Sequence, residues 1–149
     1  MLKQISLLLV TIAFGVFAQA QSPVSWSFSS KKLKDGVYEV HFTASVQNGW
    51  TIYSQTTPDG GPLPTSFKFV KNPLLTLDGK VQEPPTMKKK HEEVFGVDVH
   101  YFTDRVDFVQ IVKVKGKAKT KLTGTLEYMA CDNEQCLPPA EVEFSIPLN

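Results

Sequence analysis

Cysteine is scarce in this chain of 149 residues: there are two, Cys131 and Cys136, five positions apart. Histidine is nearly as scarce. His41, His91 and His100 fall in unrelated segments, so a structural zinc site built from two cysteines and two histidines has little to draw on, and no metal or cofactor is expected. No segment carries a 3.6-residue apolar stripe longer than two turns, which argues against helices. Beyond the first 20 residues nothing approaches about 18 consecutive apolar positions, so no membrane anchor is expected. Neither sign of charge dominates, with 16 Lys+Arg against 15 Asp+Glu, and this gives no reason to expect nucleic acid or an anionic membrane as partner.

What is present begins with an export signal. Residues 1–20 read as a secretory signal peptide: Lys3 supplies the positive start, Ile5 to Phe17 the apolar run, and Ala18-Gln19-Ala20 the small-residue cleavage site. Residues 21–149 are then expected to form one domain, long enough for a proper core, with 15 basic and 15 acidic residues. No cysteine follows the cleavage site, so no lipoprotein anchor is expected.

The apolar positions of that domain alternate. Tyr38, Val40, Phe42, Ala44 and Val46 interleave with Glu39, His41, Thr43 and Ser45, the period-2 pattern of a strand with one buried face. Gln47-Asn48-Gly49 turns the chain into a short strand from Trp50 to Ser54, with Trp50 read as a core residue. Further strands are expected at Ser66 to Val70, Val97 to Phe102 and Val106 to Val114, the last with a bulge where its apolar parity changes after Phe108. Leu122, Leu126 and Tyr128 mark the strand that runs into Cys131, and Val142 to Leu148 the final one. Tyr53 and Tyr128 read as cross-strand aromatic packing with hydroxyls at the surface. Seven or more short strands with uneven connections predict an all-β, immunoglobulin-like β-sandwich. Met87 to Glu93, the strongest charge run, reads as a solvated loop.

An exported chain lives where disulfides persist, so the two cysteines are expected to pair. The bond would close a loop of about six residues, for which loop-closure entropy gives only about 2 kcal/mol, so it is a weak staple. The spacing is not the C-x-x-C of a helix start, and no histidine follows for haem attachment. Asp132 and Glu134 lie inside the loop and disfavour a thiolate by like-charge repulsion. The residues alone leave two readings open: an exchangeable redox pair, or an exported β-sandwich binding module with a purely structural disulfide.

Gly49-Trp50-Thr51-Ile52-Tyr53, the stretch His91 to Gly96 leading to Tyr101 and Asp104-Arg105, and Tyr128 to Pro139 with its two cysteines are similar to the N-terminal periplasmic domain of the thiol:disulfide interchange protein DsbD. The resemblance runs from about Val24 to Leu148. It implies a periplasmic immunoglobulin-like domain that takes electrons from a membrane-embedded thiol reductase or a thioredoxin-like domain. These pass to oxidised periplasmic proteins, such as a disulfide isomerase or cytochrome c maturation proteins. It implies that Cys136 forms the mixed disulfide with partners and Cys131 resolves it. Glu92, Glu93, Val94, Phe95 and Gly96 become a loop that shields the pair, with Tyr53 nearby. This chain departs from the family in having four residues between the cysteines rather than five, Thr51 where an aromatic is expected, and Val94-Phe95 where the capping aromatic falls one position earlier. The sequence to Asn149 does not include the membrane and thioredoxin-like domains that accompany this domain in the family, so it is expected to act alone or with separately encoded partners.

Overall fold

The computed structural model describes residues 22–93 and 95–149; the signal peptide read at 1–20 and Val94 lie outside the described residues. Among them the chain forms eleven strands and no helix. In chain order these are β1 (Val24–Lys34), β2 (Val37–Val46), β3 (Thr51–Tyr53), β4 (Ser66–Phe69), β5 (Leu75–Gln82) and β6 (Lys88–Glu92), then β7 (Val97–Phe102), β8 (Arg105–Val114), β9 (Thr120–Tyr128), β10 (Ala130–Cys131) and β11 (Ala140–Leu148). They build three antiparallel sheets in the orders β1-β2-β8-β5, β11-β9-β4 and β10-β3-β7-β6.

The first two sheets face each other across the core of an immunoglobulin-like sandwich. Alternation puts Val40, Phe42 and Ala44 of β2, Val106, Phe108 and Val112 of β8, Leu122 and Leu126 of β9, and Ile146 and Leu148 of β11 out of reach of solvent. Phe42 is the hub: its ring centroid lies 5.0 Å from Phe67, 4.9 Å from Phe144 and 5.9 Å from Phe28. Trp26 of β1 extends the cluster, 5.9 Å from Phe108 and 5.5 Å from Tyr128, and Trp50 packs half-buried against it.

Four local expectations need correction. Lys88–Glu92 is strand β6 rather than a solvated loop, paired with β7 from Lys88↔Tyr101 to Glu92↔Val97. It is an edge strand, and lysines on an edge deter pairing with other chains, so its composition resembles a loop's. Strands β1 and β5, also at edges and rich in polar residues, carry too little apolar alternation to be expected. No bulge interrupts β8, whose register with β2 is unbroken from Val37↔Lys113 to Ser45↔Arg105. Its parity shift arises because Gln110 takes an inward position, 1% exposed, and its amide donates to the carbonyls of Asp78, Gly79 and Ile111. The irregularity lies in β5 instead, between Asp78 and Gln82. Finally, Tyr53 and Tyr128 are buried, at 1% and 4% exposure, and the Tyr128 hydroxyl meets Ser22 Oγ at 3.2 Å.

Candidate functional site

The third sheet positions the cysteines. Cys131 of β10 pairs with Thr51 of β3, and Tyr53 of β3 pairs with Tyr101 of β7. Opposed residues share a face and side chains alternate along each strand. Ile52, Phe102 and Ala130 therefore turn toward the main core, while Cys131, Thr51, Tyr53, Val99, Tyr101, Lys90 and Glu92 fall on the opposite face. There Tyr53, Val99 and Cys131 form a second, small apolar cluster, with Val97, Tyr101 and Met129 packed around it.

Cys131 and Cys136 are bonded, with Cα atoms 4.0 Å apart. They form an antiparallel pair across a tight hairpin, flanked by the bonds Asp132 N–H to Gln135 O at 2.9 Å and Leu137 N–H to Ala130 O at 2.9 Å. A pair so flanked makes no backbone hydrogen bond of its own, the arrangement in which Cα atoms approach most closely. The four-residue spacer is thus a closed turn. Asp132 Oδ1 accepts from the N–H of Glu134 at 2.8 Å and of Gln135 at 2.7 Å, and these bonds hold its carboxyl below the ordinary value. Pro138 and Pro139 have no N–H, so the ladder stops at Leu137.

The two sulfur-bearing residues are unequal. Cys131 is 3% exposed and packed in the small cluster, whereas Cys136 is exposed. Both line a cleft of about 240 Å³ together with Tyr53, Glu92, Phe95 and the turn residues 132–135. Burial pushes the Tyr53 phenol above its ordinary value, so it stays protonated at neutral pH.

Across the cleft, the β6–β7 turn presents Phe95. The N–H groups of Phe95 and Gly96 both donate to Glu92 O, at 3.1 and 2.8 Å, and Gly96 supplies the left-handed backbone (φ 66°) that closes the turn. Phe95 is 37% exposed, so it does not enter the core. Glu92 is held by Lys90 at 2.8 Å, and Lys90 lies 5.3 Å over the Tyr101 ring. Burial pulls the Lys90 ammonium down, but the bond and charge of Glu92 outweigh it and keep the group above its ordinary value.

Of the residues expected at the site, Cys131, Cys136, Tyr53, Glu92 and Phe95 meet at one cleft. Gly96 shapes the turn, and Glu93 is exposed without lining the cleft. The sequence reading missed Lys90 and Val99 and named Tyr101 only as part of the resemblance; the i, i+2 spacing of Lys90 and Glu92 marks them as sharing a face once β6 is a strand. Thr51, where an aromatic was expected, donates through Oγ1 to Cys131 O at 3.1 Å and so ties the cysteine strand to β3. The histidines stay apart: His41 contacts Asp107 and Glu39, His91 contacts Asp98, and His100 contacts Thr56. Among the described residues no three Cys, His, Asp or Glu side chains gather as a metal site, and no helix is long and apolar enough to cross a membrane.

A family profile described as the N-terminal part of the thiol:disulfide interchange protein DsbD matches residues 18–147. Two solved structures with similar folds are the reduced DsbD N-terminal domain of Neisseria meningitidis and the N-terminal periplasmic domain of ScsB from Proteus mirabilis. The first has a TM-score of 0.54 at 21% identity, covering 82% of this chain and 85% of that one. The second has a TM-score of 0.59 at 16% identity, covering 86% of this chain but only 47% of the ScsB chain, so this chain spans about half its length. A third is a complex between the DsbD and PilB N-terminal domains of N. meningitidis, with a TM-score of 0.54 at 16% identity, covering 85% and 87%. No curated protein matches the sequence.

Proposed function

The chain belongs to the family of DsbD N-terminal domains, and from that premise we propose that Cys131 and Cys136 relay electron pairs between a thiol reductant and oxidised periplasmic proteins. The observation that carries this reading is the asymmetry of the pair: one cysteine buried against Tyr53 and Val99, the other exposed in a cleft.

In the loading step a donor thiolate attacks the exposed Cys136 sulfur. A mixed disulfide forms, the Cys131–Cys136 bond breaks, and Cys131 leaves as a thiolate that takes up a proton. The donor's second thiol then attacks its own mixed-disulfide sulfur, releasing Cys136 and leaving this domain two electrons richer. Unloading reverses the order: the Cys136 thiolate attacks an acceptor disulfide, and Cys131 displaces the reduced acceptor. Access decides the roles, because exchange needs in-line approach to one sulfur. The donor is the thioredoxin-like domain of a membrane-embedded reductase. Disulfide isomerases and cytochrome c maturation proteins are the acceptor class, and export through the segment 1–20 places the chain with them in the periplasm.

Phe95, Glu92 and the turn around Gly96 act as the shield over the pair. Truncating Phe95 to alanine is expected to raise the rate at which a small thiol reduces the bond several-fold, with little change in Tm, since the ring is outside the core. Stopped-flow reduction by dithiothreitol reads this directly; an unchanged rate removes the shield from the account.

The function itself is tested with the double variant Cys131→Ser/Cys136→Ser. It is expected to stay folded, to lose no more than about 2 kcal/mol in chemical denaturation, and to abolish electron transfer from reductant to acceptor. Retention of transfer, or unaltered partner function in the double variant, would instead support a binding module with a structural disulfide.

A further inference from the structure

The end of the sandwich remote from the cysteines is built from four segments. The β1–β2 hairpin, the β8–β9 connection, the 70–74 connection and the C-terminal end of β11 meet there through Val114 N–H to Gly36 O at 2.7 Å, Lys115 N–H to Leu74 O at 2.9 Å, Asn72 Nδ2 to Thr120 Oγ1 at 3.0 Å and the pair Leu148↔Thr120. These segments bring lysines together. Lys32 is paired with Asp35 at 3.2 Å and Lys113 with Asp78 at 2.8 Å. Lys34, Lys71, Lys115, Lys117, Lys119 and Lys121 are exposed, and among the described residues none has an acidic partner within 4 Å. The cysteine end differs: there Glu92, Glu93, Asp98, Asp104, Asp132 and Glu134 stand against Lys88, Lys89, Lys90 and Arg105. A net charge near zero therefore conceals an uneven distribution, with the unpaired lysines gathered at this end and a small acidic excess at the other.

We propose that this lysine-covered end docks on an anionic phospholipid surface and so holds the cysteine cleft pointing away from the bilayer. Three observations select lipid over other anions. Every basic residue here is lysine, a point charge on a flexible stem, with none of the planar arginine forks that read carboxylates or phosphates in pairs. Tyr38, the aromatic beside this end, is only 6% exposed, so it offers no stacking platform for bases. Leu33, Val70 and Leu74 are 47%, 61% and 40% exposed among these lysines. Apolar side chains ringed by lysines suit the boundary between headgroups and acyl chains. The acidic cysteine end is repelled by the same surface, so attraction and repulsion impose one orientation.

The test is co-sedimentation of the mature, disulfide-bonded chain with phosphatidylcholine vesicles made with or without phosphatidylglycerol. Binding is expected only with phosphatidylglycerol. It should disappear between about 0.01 M and about 1 M ionic strength, over which the Debye length falls from about 30 to about 3 Å. The variant Lys115→Glu/Lys117→Glu/Lys119→Glu should lower the partition coefficient by about 100-fold or more, as each lysine near an anionic surface is worth roughly a factor of five. Lys89→Glu, at the other end, should leave it unchanged. The proposal is overturned by equal binding to both vesicle types, by no binding at low salt, by indifference to the triple variant, or by capture of polyglutamate without binding to vesicles.

Discussion

Replacing Cys131 by serine is expected to leave this domain locked to its partners, while replacing Cys136 is expected to abolish the linkage. In Cys131→Ser the remaining thiol is the exposed one, free to attack a partner disulfide, and the residue that would resolve the product is gone. In Cys136→Ser the remaining thiol is 3% exposed, between Tyr53 and Val99, where burial denies a partner in-line access. Incubation of each variant with an oxidised acceptor, followed by alkylation and non-reducing electrophoresis, should show a mixed disulfide for Cys131→Ser and at least about tenfold less for Cys136→Ser. The opposite pattern would exchange the two roles.

The largest loss of stability is expected at Phe42. Its side chain is fully buried, and rings from both sheets surround it: Phe28 from its own sheet, Phe67, Phe69 and Phe144 from the other. Truncation removes the transfer energy of the ring and leaves a cavity that rigid aromatic neighbours refill poorly. Phe42→Ala should therefore cost about 3–5 kcal/mol, at the upper end for core truncations. Denaturant unfolding at constant m-value measures it, and a loss under about 1 kcal/mol would show that the sheets close over the gap.

Much of the sandwich was legible because its central strands alternate cleanly. On β2 every second residue from Tyr38 to Val46 is buried, so local pattern and tertiary burial agree. The edges were not. β6 is three lysines, a histidine and a glutamate, and it is a strand only because β7 offers a ladder. Gln110 misled the parity of β8, since a polar residue can face inward when its amide finds carbonyl partners across a distorted neighbour. The site shows the same division. The cysteines announce themselves by spacing, but their surroundings come from residues 51–53, 88–92, 97–101 and 130–136, which are brought together by non-local pairing. Neither the opposite exposure of the two cysteines nor the common face of Lys90, Glu92, Tyr53 and Cys131 can be read from spacing before the register is known.

The reduction potential of the Cys131–Cys136 bond tests the central claim most directly. Equilibration of the purified domain in glutathione buffers, quenching by a thiol trap and counting of modified cysteines gives the value. An exchange domain should lie between about −120 and about −300 mV, where thiol–disulfide carriers and the compartments they serve are found. A potential well below about −300 mV, the range of inert structural bonds, would contradict the account and leave the disulfide as a clasp on the hairpin that follows β9.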